Sequence, residues 1–364
     1  MLKYIIIAFL VCSLVDFLII VFSNKLSIGL DKINNEPQKF HKSLTPRLGG
    51  TGIFLAFLVI SFLLFVHRKE SDFLLLALCA TPAFLVGLTE DISRKVKPIY
   101  RLLVITLSAG LGILFLGALL NRLDLGVVDK LFSFKAVAVI VTLIAVSGVT
   151  NAFNIIDGYN GLASFVSIII FLGFAYVAFK LNDMYIVYVC FAMIFSIFAF
   201  FLLNYPLGKI FLGDGGAYFI GFIAAEVAVL IVVRHKQVSA FFPLLLCIYP
   251  IFETIFSMYR RKIIKKSSVG KADALHLHTL VFRRMTPLFI GSNPEKILYR
   301  NSMTSPFLWV LTVFSALPAI LFWNDAKVLI VFSIIFMFMY IGLYWSIVKF
   351  KISRIMKFNK SNKL

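Results

Sequence analysis

Across 364 residues, 61% are hydrophobic and only 15% charged, whereas soluble domains carry about 25% charged residues and at most about half apolar ones; a water-soluble globule is excluded and a single membrane bundle is indicated. The formal net charge of +19, from 36 Lys and Arg against 17 Asp and Glu, calls for an anionic partner, and composition alone leaves nucleic acid, anionic lipid and anionic substrate open. Cys12, Cys79, Cys190 and Cys247 all lie in apolar runs with no CxxC or Cys/His ligand spacing, so a disulfide framework and a cysteine-bound metal are excluded as well.

Taken in chain order, apolar runs near 20 residues, enough to cross about 30 Å of hydrocarbon, fall at 3–23, 48–66, 71–88, 102–121, 134–152, 160–179, 184–203, 213–233, 239–259, 305–324 and 328–348. They predict an all-α polytopic membrane bundle of about eleven transmembrane helices, one membrane domain over 1–364. After the first run there is no small-x-small cleavage site, only Phe22-Ser23-Asn24-Lys25, so that run is read as a spanning helix. The segments following odd-numbered runs, 24–47, 89–101, 153–159, 204–212, 260–304 and 349–364, hold 26 of the 36 Lys and Arg. The positive-inside rule places these segments in the cytoplasm, with the N-terminus outside and the C-terminus inside. Basic residues gathered at one membrane face favour a phosphate-bearing or lipid partner over nucleic acid.

The same segments collect the acids. Glu90-Asp91 follow the third run, Asp157 follows the fifth, Asp214 opens the eighth after Gly213, and Asp273 lies in the long segment with His276 and His278. Ionisable groups are costly inside lipid unless paired or hydrated, so acids at helix ends on one face are candidates for function. Among so many cations they suit a site in which carboxylates hold Mg²⁺ while Lys and Arg take phosphate oxygens. The alternative for any one acid is an ordinary ion pair at headgroup level.

Two stretches stand out. Asn151-Ala-Phe-Asn154-Ile-Ile-Asp157-Gly158-Tyr-Asn160-Gly161 sets amides, an acid and two glycines between apolar helices. The amides offer donor and acceptor edges suited to a nucleobase or an acetamido group, and the glycines permit close approach; simple turns are the competing explanation. Gly213-Asp214-Gly215-Gly216 leaves bare N–H groups at a helix N-terminus, which attract phosphate, and Asp214 can bring a cation to it. His276-Leu277-His278 lacks a third ligand for zinc, so phosphate contact is the better assignment.

Five motifs in order, Lys39-Phe40-His41 with Thr45-Pro46-Arg47-Leu48-Gly49-Gly50, Glu90-Asp91, Asn154/Asp157-Gly158, Gly213-Asp214 and His276-Leu277-His278, make the chain resemble the polyprenyl-phosphate N-acetylhexosamine-1-phosphate transferases. That superfamily includes the bacterial MurNAc-pentapeptide phosphotransferase and the enzymes that start O-antigen and teichoic-acid linkage synthesis. The resemblance implies a glycosyl-1-phosphate transferase of the bacterial cytoplasmic membrane, its active site facing the cytoplasm. It would move HexNAc-1-phosphate from a UDP-N-acetylhexosamine to undecaprenyl phosphate and release UMP, with Mg²⁺ as cofactor and Mn²⁺ as a substitute. Membrane lipid is its other partner, and a homodimer is a further expectation.

By the same resemblance Asp214 and Asn154 are metal ligands, and Asp91, Glu90, Asp157, His276 and His278 are catalytic, the acidic pair lying near the lipid phosphate and the histidines near the diphosphate. Lys39, Arg47, Asn160, Gly213, Arg260 and Arg261 bind substrate. The chain departs from the commonest family pattern at Glu90, Asn160, Ala217, Glu253 and Thr279; its His-x-His version implies a UDP-GlcNAc-like donor and not a muramyl pentapeptide. The rival class is a transporter or lipid flippase, for which the acids Asp16 and Glu226, well inside the first and eighth runs, are the best support. No pair of Gly/Pro-broken helices in matching halves accompanies them, and both are expected to be buried, paired groups.

Overall fold

The computed structural model describes residues 1–26, 30–31, 45–264, 275–291, 293 and 296–349. Lys39 and Asp273 lie outside the described residues. Helix α1 (Leu2–Leu26) leads to a two-residue antiparallel pairing of β1 (Leu30–Asp31) with β2 (Thr45–Pro46), and then come α2 (Gly49–Arg68), α3 (Asp72–Ser93) and α4 (Pro98–Leu116). A 3₁₀ segment (Gly126–Ser133) precedes α5 (Lys135–Ile156), α6 (Leu162–Lys180), α7 (Met184–Asn204) and α8 (Gly213–Arg234). Short α9 (Phe241–Leu246), α10 (Ile248–Tyr259), α11 (Leu277–Leu280) and α12 (Thr286–Ile290) are followed by α13 (Ile297–Leu321) and α14 (Ala326–Lys349).

Local chemistry sets the turns. Lys69 and Arg94 take left-handed backbone conformations (φ 56° and 54°) and close α2 and α3 by donating their N–H groups to Phe65 O and Glu90 O. Pro98 opens α4 at a position whose N–H has no helical partner anyway.

Ten of these helices are long and apolar enough to cross a membrane. The ninth run, expected as one helix over 239–259, is broken at Cys247 into α9 and α10. Pro250 explains the break: it has no N–H for Leu246 O, and its ring crowds the preceding turn. The segment expected as a loop over 260–304 is also partly helical, containing α11, α12 and the first turns of α13.

Helix α8 runs through the middle of the bundle, buried over almost its whole length, while α1, α4 and α14 turn most of their surface outward. A polypeptide helix can be sheathed this way only if its neighbours come close, and glycine provides the approach. A Cβ on Gly50 would sit 2.1 Å from the Gly216 Cα, and one on Gly87 2.5 Å from the Gly215 N, so α2 and α3 cross the start of α8 at backbone contact.

Both intramembrane acids are buried. Asp16 faces Gly52 and receives the Cys12 thiol at 3.6 Å. Glu226 faces Gly112, and contrary to expectation its two carboxylate oxygens have no hydrogen-bond partner among the described residues.

At the end of α8 remote from Asp214, Arg122 gathers the carbonyls of Val232, His235, Lys236 and Val238. Its neighbour Asp124 accepts from the Ala240 N–H at 2.7 Å. Asp183, buried at the start of α7, accepts from Arg234 at 2.7 Å and lies 2.8 Å from His235 Nε2. Burial would raise its pKa, but Arg234 and His235 prevail and hold it below the usual carboxylate range.

Candidate active site

The C-terminal turns of α3 and α5 and the N-terminal turn of α8 meet at one end of the bundle. Glu90 and Asp91 are in the last turn of α3, not in a loop after it, and Asn154 is in the last turn of α5, with Asp157 just beyond. Asp91 is buried, and its two oxygens accept the backbone N–H groups of Asp214 and Gly215, each at 2.9 Å. A carboxylate from α3 thus caps α8, satisfying N–H groups that a helix start leaves without partners and complementing its positive end.

Gly213 makes this geometry available. With φ +76°, it brings its α-carbon so near Asp91 and the Arg47 carbonyl that a Cβ would lie 2.5 Å from one and 2.1 Å from the other. The backbone of the Arg47 segment is fixed to the same entry loop, through Phe211 N–H to Pro46 O at 2.8 Å and Gly49 and Gly50 N–H to Phe211 O and Leu212 O at 2.9 Å.

Asp214 has both oxygens engaged by guanidinium groups. Arg101, from the first turn of α4, donates Nη1 to Oδ2, and Arg47 Nη2 stands 3.5 Å from Oδ1 and 3.8 Å from Asp91 Oδ1. Asp157 completes the group electrostatically. Burial among protein atoms raises its pKa to about 7, opposed by Arg47 and reinforced by the charge of Asp214. Its carboxylate, and the side-chain amide of Asn154, make no hydrogen bond among the described residues.

His276 and His278 form a second cluster. His276 Nδ1 lies 2.9 Å from Glu253 Oε1; the same oxygen accepts the Leu277 N–H at 3.2 Å, and Tyr340 OH donates to Glu253 Oε2 at 2.7 Å. The two imidazoles stack with centroids 5.0 Å apart, and His278 meets Tyr159 edge-on at 5.5 Å. A Cβ on Gly158 would be 3.2 Å from His278 Nε2. The histidines are therefore joined to the Asp157 loop through Gly158 and Tyr159.

Other expected site residues have structural partners. Glu90 points into the α3–α4 turn, accepting the Val96 N–H at 2.8 Å. Asn160 is buried and gives its amide to Pro206 O at 3.2 Å. Its backbone is bracketed by Asn301 Oδ1 at 2.9 Å and Ser305 Oγ at 2.6 Å, while Trp309 Nε1 reaches Gly161 O at 3.1 Å. Arg260 is buried with its guanidinium 5.8 Å from the Tyr344 ring, and Arg261 follows it on the turn after α10.

Residues that sequence reasoning passed over are Arg101, Tyr340 and the polar face of α13. Arg101 carried one faint signal: a cation in the first turn of a helix opposes the macrodipole and needs a local anion to hold it.

The donor set can be weighed against a metal. Among the described residues, no three His, Cys, Asp or Glu side chains are grouped to hold an ion by themselves. Asp157 lies close enough to Asp214 to feel its charge, and the Asn154 amide is open. Few, hard oxygen donors suit Mg²⁺, which keeps several waters and uses one or two carboxylates together with substrate phosphates.

Residues 73–232, which contain Asp91, Arg101, Asp157 and Asp214, match the family described as Glycosyl transferase family 4. Over 279 residues the chain is 31% identical to the undecaprenyl-phosphate alpha-N-acetylglucosaminyl 1-phosphate transferase of Yersinia pestis, covering 73% of each protein. It is 27% identical over 281 residues to the "Probable undecaprenyl-phosphate N-acetylglucosaminyl 1-phosphate transferase" of Bacillus subtilis (75% of this chain, 76% of the relative). It is also 23% identical over 287 residues to the phospho-N-acetylmuramoyl-pentapeptide-transferase of Staphylococcus carnosus (75% and 88%).

Proposed function

This chain belongs to glycosyl transferase family 4, the sugar-1-phosphate transferases of polyprenyl phosphates, and on that premise we propose its donor, acceptor and side of action. It takes N-acetylhexosamine 1-phosphate from a UDP-sugar, UDP-GlcNAc or a close relative, to undecaprenyl phosphate at the cytoplasmic face of the bacterial inner membrane. The product is a lipid-diphosphate-linked sugar that starts a cell-surface polysaccharide such as O-antigen, and UMP is released. The observation that carries this reading is the gathering of Asp91, Asp157 and Asp214 with Arg47 and Arg101 at one end of the bundle.

In this reaction an oxygen of the acceptor phosphate attacks the β-phosphorus of the donor. The bond from that phosphorus to the bridging oxygen breaks, and the oxygen departs with UMP. A phosphomonoester is already largely ionised near neutral pH, so the protein's task is alignment and charge neutralisation. Asp214 and Asn154 would hold Mg²⁺ or Mn²⁺, which when bound offers positive charge to the phosphate oxygens. Arg47 presents its fork to the same oxygens. Asp91, with both oxygens on backbone N–H groups, keeps α8 in place and leaves direct attack to the lipid phosphate. The loop from Asn154 to Asn160 faces the nucleotide sugar, and the His276–His278 pair, braced by Glu253, lies beside the diphosphate.

The test is UMP release by purified protein in detergent, given undecaprenyl phosphate, Mg²⁺ and a panel of UDP-HexNAc donors. UMP that depends on lipid and metal with one donor is the expected result. Silence across the panel, with folded protein, removes the assignment of these substrates.

A further inference from the structure

Asp214 is the expected metal ligand, and both of its oxygens face arginines. The two arginines are not equivalent. Arg47 is shared, standing 3.8 Å from Asp91 as well as 3.5 Å from Asp214, and its backbone carbonyl is packed on Gly213. Among the described residues Arg101 has one acceptor, Asp214 Oδ2, and its Nε is buried with no hydrogen-bond partner there. Its side chain is 19% exposed. It also sits in the first turn of α4, where the helix end disfavours a cation. Asp214 is thus what holds the guanidinium there, and the guanidinium keeps unused donor capacity.

We infer that Arg101 is an exchangeable counterion for Asp214: it neutralises the carboxylate while no divalent cation is bound, yields Oδ2 when one binds, and then offers its fork to the phosphates brought in with it. The inference rests on the metal assignment above and adds to it a residue with two positions. Two cations competing for one carboxylate are negatively coupled, and coupling is reciprocal: whatever weakens the Arg101–Asp214 pair strengthens metal binding. A guanidinium suits the second position as well, since it binds phosphate through two parallel hydrogen bonds. Arg101 is accordingly a positioning residue for the metal site and a phosphate contact afterwards.

This has an unusual signature: removing Arg101 should improve metal affinity while impairing transfer. The test is Mn²⁺ binding, read by loss of the free-ion EPR signal, on purified protein in detergent with neither substrate present, together with UMP release. Arg101→Gln is expected to bind Mn²⁺ on the order of tenfold more tightly than the natural protein, within the range typical of coupled sites, with turnover down about a hundredfold. Arg101→Lys, which keeps the charge but not the fork, is expected to bind Mn²⁺ within about threefold of the natural protein and still transfer poorly. Folded Arg101→Gln with unchanged or weaker Mn²⁺ affinity overturns the exchange, because a merely structural arginine would give that result. Should Arg101→Gln not fold, Mn²⁺ binding by folded Arg101→Lys that is weaker than the natural protein's by more than about threefold overturns it equally. If the natural protein shows no saturable Mn²⁺ binding that Asp214→Asn removes, the metal assignment fails and the exchange with it.

Discussion

At Asp91 and Asp214, adjacent carboxylates have separate duties, and substitution should divide them. Asn at 91 keeps one acceptor and loses the other, leaving a backbone N–H at the start of α8 without its partner, at a cost of about 1–3 kcal/mol. Asp91→Asn is expected to lower both the melting temperature and turnover, the latter by about a hundredfold. Asp214→Asn leaves the cap on α8 intact and should insert normally and melt less far below the natural protein than Asp91→Asn does, while losing transfer. Thermal denaturation in detergent beside UMP release separates the two, and full activity in Asp214→Asn would remove its metal role. Asp157 adds a pH dependence. Its carboxyl, pushed by burial from 3.8 to about 7, is neutral in the folded protein at pH values where the unfolded chain would be ionised. Folding stability from this group is therefore present in acid and is lost as pH rises through about 7. The charged form fills in over the same interval, so kcat/KM for the donor should climb between about pH 6 and 8. The residual activity of Asp157→Asn should lack that limb; a wild-type rate flat across it would exclude the ionised carboxylate from the reaction.

Helix α13 shows how a remote element enters the chemistry. Asn301, Ser305 and Trp309, on one face, hold the backbone of Asn160 and Gly161, while Ser302 holds Pro206 O. Ser305→Ala leaves a buried carbonyl without that donor, so a loss of about 1–2 kcal/mol in stability is expected. Because the bracketed loop continues into Asp157, the donor KM should rise severalfold with a smaller change in kcat. An unaltered KM would confine α13 to a packing role. The early start of this helix was hidden in the sequence because Tyr299, Arg300, Asn301 and Ser302 look like loop, and the partners that Arg300, Asn301 and Ser302 find, Phe282 O, Asn160 N–H and Pro206 O, lie outside the helix. The break near Cys247 was hidden for the opposite reason: hydropathy registers apolar length and is blind to the N–H that Pro250 lacks. The acids themselves were legible, since a carboxylate in an apolar sequence is conspicuous. That Asp91 caps α8 was not, its partner lying 123 residues away, and Arg101 was lost among the many cations of the same face.

The molecule as a whole is a helix sheathed by its neighbours, with its reactive residues at one end. Hydropathy was sufficient for the helical bundle, because a lone segment satisfies its own backbone groups in hydrocarbon only as a helix, but not for which helix lies at its centre. From the charge bias we propose an orientation, N-terminus outside and C-terminus inside. A fluorescent-protein fusion after Leu364 should consequently glow, and an alkaline phosphatase fusion there should be inactive; the reverse pattern would invert the assignment and put Asp214 on the far side. The Arg122–Asp124 and Arg234–Asp183 ion pairs would then be cytoplasmic.

The cap on α8 has a consequence for the membrane around the protein. Asp91 belongs to α3, and the peptide groups it holds carry Asp214, so any relative slide or tilt of these two spanning helices is transmitted directly to the reacting end. Lipid thickness acts on such tilts, at a cost of fractions of a kcal/mol per Å of mismatch. An enzyme organised in this way is expected to respond to the acyl-chain length of its host bilayer, its rate varying between vesicles of different thickness even though those lipids never enter the site.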